Sequence, residues 1–250
     1  MKKLSMFVVF IIIISASLFA GDWVKTSGSS AVDVAVAENG FVAVANTKGD
    51  VFTSKDLGKT WTKSPTASDV TRISLSSDAS IMGAVNKQGS LFISRDMGAS
   101  WVKTGASSVI DASVGRSHSF VVNKDGGVYF TASNDFANWT KTEGGSDIKC
   151  VVFGGPFIFV SNSKGDTFIA DFNKTPKMSY RKTTGSSVVD LDVAPNGNLW
   201  VANKDGNVFS SPDKGTTWKK ESGSDVKAIS LCNKYTIVAN KNGDVFVRDN

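Results

Sequence analysis

The chain has 250 residues, 41% hydrophobic and 20% charged, with a formal charge of +5. That balance excludes a disordered chain, and 23 glycines without a Gly-X-Y or heptad period exclude collagen-like and coiled-coil architectures. Cys150 and Cys232 are too few for a disulfide scaffold. One histidine, His118, and three glutamates, Glu38, Glu143 and Glu221, leave little for His- or Glu-based catalysis, and the basic excess falls short of a nucleic-acid-binding tail.

In chain order, Lys2 and Lys3 precede an apolar run from Met6 to Ile14 and a small-residue stretch ending at Ala20. This is the layout of a secretory signal peptide, and the run is short for a membrane span of about 20 residues. Cleavage after Ala20 leaves one domain, 21–250, secreted, with no membrane segment and a charge lowered by Lys2 and Lys3 to +3. In an oxidising compartment the two cysteines read as buried thiols.

The remainder is one unit written six times. Asn-x-x-Gly-x-x-(Phe/Tyr) occurs at Asn46, Asn86, Asn123, Asn162, Asn203 and Asn240, at steps of 40, 37, 39, 41 and 37 residues. In phase with it, an aromatic precedes a lysine by two residues at Trp23/Lys25, Trp61/Lys63, Trp101/Lys103, Trp139/Lys141, Tyr180/Lys182 and Trp218/Lys220. Each unit reads as four short strands; in the fifth they are 188–193, 199–202, 207–210 and one starting at Trp218. Four strands on a period near 40 predict an all-β, six-bladed β-propeller with four antiparallel strands per blade. The units fall near 31–64, 69–104, 108–142, 147–183, 187–221 and 225–250, the last completed by 22–26. The N-terminal strand then closes the ring.

Three segments, Ser54-Lys-Asp-Leu-Gly-Lys-Thr-Trp61, Ser94-Arg-Asp-Met-Gly-Ala-Ser-Trp101 and Ser211-Pro-Asp-Lys-Gly-Thr-Thr-Trp218, match the Asp-box pattern. That pattern names an architecture and not an activity. A degraded copy lies at Ser133–Trp139. The Asn-x-x-Gly turns have a structural account, Asn bonding back to the backbone and Gly allowing φ > 0. The alternative is a ring of six amides offered to sugar hydroxyls. The lysines after the aromatics block edge pairing or form a cationic rim. Asp33, Asp111 and Asp190 share one inner-strand position, held elsewhere by Arg72, Cys150 and Ala228. Calcium is weighed there, but it wants six or more oxygen ligands, and pairing with backbone or Arg72 is the simpler expectation. No cofactor is expected.

The composite unit resembles the tectonin repeat of β-propeller lectins. The resemblance runs through all six units and is carried by Trp218 to Leu231, with its Gly223, and by Leu199-Trp200-Val-Ala-Asn203-Lys-Asp-Gly206-Asn-Val-Phe209. It implies binding of cell-surface glycans or bacterial lipopolysaccharide, usually multivalent. The family's Trp three residues before Asn survives only as Trp200; Ala43, Gly83, Phe120, Phe159 and Ile237 replace it.

The expected function is therefore a secreted, non-catalytic, monomeric lectin. Its candidate sugar face joins the six Asn with Ser30, Asp69, Ser108, Asp147, Ser187 and Asp225, and with Trp200 as a stacking ring. A sialidase-like glycosidase needs an arginine cluster and a Tyr/acid pair. Arg72, Arg95, Arg116, Arg181 and Arg248 fall at five different repeat positions, and Tyr129 sits in a slot otherwise filled by Phe. The alternative reading is a protein-protein interaction scaffold. Asn138 and Asn173 begin N-glycosylation sequons.

Overall fold

The computed structural model describes residues 23–65, 68–132, 135–174 and 177–250. The segment read as a signal peptide, and Thr175 of the second sequon, lie outside these. The described residues form six four-stranded antiparallel sheets. Blade 1 runs through Ala31–Val36, Val42–Asn46, Val51–Ser54 and Thr62–Lys63, and blades 2 to 5 repeat that order. In blade 6, Val226–Leu231, Tyr235–Asn240 and Val245–Asp249 are completed by Val24–Lys25, with Val24 opposite Val247 and Lys25 opposite Phe246.

The first strand of every blade is rich in β-branched residues, and all six line one central channel. Period-two alternation sends one set of side chains into the channel and the other between blades. The core is accordingly six clusters, each shared by neighbouring blades. Val34, Val36, Val42 and Val44 of blade 1, for example, pack on Ala228, Ile237 and Val245 of blade 6. Cys150 and Cys232 are buried free thiols; burial is the main force pushing both thiols up, so neither is a reactive thiolate.

The Ser-x-Asp turns link third and fourth strands. In the first, Ser54 Oγ accepts from the Gly58 N–H (2.8 Å) and donates to Asp56 (2.7 Å). Asp56 accepts from the Thr60 hydroxyl (2.6 Å) and N–H (2.9 Å), which holds its carboxyl down at about 2. Asp96 and Asp213 are held at about 2 in the same way. A folded pKa below the unfolded value gives stability that is present above about pH 4 and lost as pH falls toward 2. Ser211, fully buried, accepts from the Gly215 N–H at 2.7 Å. Ser211→Ala leaves that N–H without a partner and is expected to cost about 1–3 kcal/mol in urea unfolding.

Candidate functional site

The antiparallel order places the turns between strands two and three on one face, with the loops that lead into the next blade. Each Asn amide oxygen there is already engaged. Asn46 Oδ1 accepts from the N–H groups of Lys48 (3.0 Å) and Asp50 (2.9 Å). Asn162 does the same for Lys164 and Asp166. Asn86, Asn123, Asn203 and Asn240 accept from Ser90, Gly127, Asn207 and Asp244. The amide oxygens are thus engaged in the turns, and the NH2 groups are left for a ligand except at Asn240, whose NH2 meets Asp244 at 3.5 Å.

Ser30, Asp69, Ser108, Asp147, Ser187 and Asp225 do come to this face, but in a role that sequence reasoning missed. All six adopt the left-handed region, at φ of 54 to 59°. Each lies against a turn glycine of the preceding blade: a Cβ on Gly49 would stand 2.5 Å from Asp69 Cα, and one on Gly206 2.5 Å from Asp225 Cα. The next residue donates its N–H to that glycine's carbonyl, as Val70 does to Gly49 (3.0 Å) and Val226 to Gly206 (3.0 Å). The face is therefore a rigid ring of blade-to-blade clasps. The signal was a Ser or Asp immediately before each inner strand, which in all but Ser30 falls about twenty residues after the turn glycine.

Charges of both signs lie on this face, with Asp125 and Asp205 in the turns beside Lys124 and Lys204 and Asp69, Asp147 and Asp225 among the clasp residues. Every turn carries one exposed lysine: Lys48, Lys87, Lys124, Lys164, Lys204 or Lys241. Lys87 and Lys241 reach the clasp aspartates Asp69 (3.7 Å) and Asp225 (3.5 Å). Opposite Lys124 and Lys204 the clasp residue is a serine, Ser108 or Ser187. The outer-strand lysines form a second ring. Lys25, Lys63 and Lys182 pair with Asp244, Asp50 and Asp166 at 2.9 to 3.0 Å. In blades 2, 3 and 5 the equivalent carboxylate is replaced by Ser90, Gly127 or Asn207.

Trp200 is not part of this face. It is 6% exposed, packed with Trp23, Leu231 and Phe246, and lies toward the opposite end of its strand.

The channel explains the inner aspartates. Each inner strand is the edge of its sheet, paired on one side only, so its N–H groups on the other side need side-chain acceptors. Asp33 accepts from Ile73 (2.7 Å), Asp111 from Val151 (2.7 Å) and Asp190 from Ile229 (2.8 Å), in each case from the following blade. One layer on, Ser74, Ser113, Asp192 and Ser230 accept from Val114, Phe153, Leu231 and Val36. Arg72 stands between Asp33 (3.9 Å) and Asp111 (3.7 Å). Burial opposes its charge, but Asp33, Asp111 and Asp190 outweigh that and hold its pKa above the ordinary value. Burial raises the carboxyls of Asp33 and Asp190, and pushes Asp111 up to about 7 and Asp192 to about 6. Among the described residues no group of three or more His, Cys, Asp or Glu is arranged to hold a metal. None forms a helix long and apolar enough to cross a membrane.

The tectonin domain family model matches residues 13–176. No curated protein matches the chain in sequence. Among solved structures, YCF48 bound to D1 peptide is similar at 13% identity and a TM-score of 0.64, over 94% of this chain and 99% of that one. PorZ of the Porphyromonas gingivalis type-IX secretion system is similar at 14% identity and 0.63, over 88% of this chain and 31% of that one. The GH74 xyloglucanase of Xanthomonas campestris is similar at 14% and 0.57, over 87% and 37%. At these identities the likeness is one of fold, and the three carry different functions on it.

Proposed function

The chain belongs to the tectonin domain family, and from that premise we propose that it is a secreted, non-catalytic lectin that binds anionic surface glycans, bacterial lipopolysaccharide among them, through its turn face. The observation that carries this reading is the ring of six exposed turn lysines on a rigid, sixfold scaffold. Individually weak contacts on one rigid ring add up on a multivalent surface. The turn amides, with their oxygens engaged, supply NH2 donors to sugar and phosphate oxygens. The inner carboxylates accept from N–H groups of the inner strand of the next blade.

The test is binding of the purified chain to vesicles containing lipopolysaccharide, at low and physiological salt. Lys124→Ala with Lys204→Ala removes the two turn lysines that face a clasp serine. At about 1 kcal/mol per lysine near an anionic surface, the pair is expected to weaken binding about 30-fold. Lys59→Ala, on the opposite face, should leave it unchanged. Equal binding by the double variant would remove the turn face from the reading. The structure of YCF48 bound to D1 peptide motivates a second reading, a protein-interaction propeller; capture of a protein that soluble lipopolysaccharide does not displace would favour it.

A further inference from the structure

Three residues that break the repeat converge at the seam between blades 5 and 6. Trp200 occupies a slot held elsewhere by Ala43, Gly83, Phe120, Phe159 and Ile237. Arg248 occupies the slot of Ser54, Ser94 and Ser211. Glu221 occupies the slot of Thr26, Ser64 and Thr183. At three other seams that Ser or Thr lies under the glycine of the next blade's Ser-x-Asp turn: Thr26 under Gly58, Ser64 under Gly98 and Thr183 under Gly215. In blade 6 the outer strand is Val24–Lys25, so no such turn joins its third strand to its fourth. The seam is left open as a pocket of about 440 Å³ on the Ser-x-Asp face, within the range of about 300–1,000 Å³ that holds small molecules.

Its wall is built. The Arg248 guanidinium lies over the Trp200 ring (4.5 Å) and the Trp23 ring (5.1 Å), and reaches Glu221 at 3.6 Å. Its Nε is buried with no hydrogen-bond partner. Glu221 also accepts from Ser210 (2.7 Å) and meets Lys219 (3.3 Å), so two cations face one carboxylate. Trp218 lines the pocket with Trp200. Asn196 and Asn233 use their side-chain oxygens on the N–H groups of Asn198 and Asn196, which leaves their NH2 groups to the pocket mouth.

We propose that this seam pocket is a single, non-repeating site for an acidic monosaccharide, a hexuronate or a related sugar acid, with its carboxylate on Arg248, which Trp200 holds from beneath, its ring against the Trp218 indole, and its hydroxyls on the asparagine amides. A planar guanidinium fork held by two rings suits a carboxylate, and an indole with amide donors suits a sugar ring. The proposal rests on the lectin reading, but it places the acid-sugar site on the face opposite the turn lysines.

The experiment is titration of the purified chain with glucuronate, followed by calorimetry and by tryptophan fluorescence, with methyl glucoside as the neutral control. A ligand of this size gains a Kd on the order of 1 mM. Glucuronate should saturate on that scale and methyl glucoside should bind at least tenfold more weakly. Trp200→Phe installs the residue that blades 3 and 4 carry in that slot, so the fold is kept, and a melting curve checks it. Trp200→Phe and Arg248→Lys should each weaken glucuronate binding tenfold or more, while Lys124→Ala with Lys204→Ala leaves it unchanged. Failure of glucuronate to bind, equal binding of the neutral sugar, or unchanged affinity in a folded Arg248→Lys variant overturns the site. If vesicle binding persists in those cases, the turn-face reading stands without it. If glucuronate binds and lipopolysaccharide vesicles do not, the pocket stands and the turn face falls.

Discussion

Arg72→Leu is expected to destabilise the chain by about 3–5 kcal/mol at pH 8, and by clearly less at pH 5. Arg72 is the guanidinium between Asp33 and Asp111, and Asp190 also acts on it. Removing it leaves carboxylates in the channel whose charge is no longer balanced. Their remaining partners are single backbone N–H groups from the next blade, which stabilise an anion but do not neutralise it. At pH 5 the cost shrinks, because Asp111, at about 7, is already protonated there and Asp192, at about 6, largely so. The same linkage governs the unsubstituted chain. A carboxyl raised above its unfolded value contributes stability that is complete below about pH 4 and lost as pH rises through about 6 to 7. The Ser-x-Asp turns act in the opposite direction below pH 4. Stability should therefore be greatest at about pH 4, where the turns' contribution is complete and that of the channel carboxyls has not begun to fall. Urea unfolding at pH 5 and pH 8 measures both effects. An Arg72→Leu cost equal at the two pH values would show that the guanidinium matters through packing and not through charge.

The architecture was legible because it is periodic. Asn-x-x-Gly and aromatic-x-Lys recur in phase, and each Asn and Gly does in the structure what its backbone chemistry requires. The placement of the inner aspartates at one level of one strand was legible for the same reason. Their bonding was not. Asp33, Asp111 and Asp190 each bond a strand 39 or 40 residues ahead, and no local pattern specifies such a partner. The turn face shows a different limit. Hydroxyl and amide residues flank each turn in the sequence, and a sugar-binding reading took both halves of the amide to be available. The backbone takes the oxygen first, because each Asn closes its turn by accepting from the N–H four residues ahead, and Asn46 and Asn162 also from the one two ahead. The turn lysines were visible but stood unaligned, at the second turn position in some repeats and the third in others. Trp200 was noticed as a lone survivor. Its neighbours Arg248 and Glu221 become visible only when the repeats are aligned in order to find where each one departs from the rest.

Trp23→Ala is expected to cost about 3–5 kcal/mol, as much as removal of a central core aromatic, although Trp23 stands at the first described position of the chain. Its indole is 8% exposed and packs with Trp200, Val226, Leu231 and Phe246, residues from two blades. Its Nε1 donates to the Ser222 carbonyl (3.1 Å) and hydroxyl (3.0 Å), and Arg248 lies over its ring. The strand behind it is two residues long and both are exposed, so two backbone pairings and the Thr26 N–H to Val245 carbonyl bond (2.9 Å) add little apolar burial. The clasp between the two ends of the ring is therefore mostly one side chain. Trp23→Phe keeps the ring contact and loses the two Ser222 bonds shared by one N–H, and should recover more than half of the alanine cost, since core contact outweighs what one part-buried donor contributes. Chemical unfolding of the three proteins separates the terms. A near-zero cost for Trp23→Ala would mean that blade 6 holds with three strands, and that the ring does not depend on being closed.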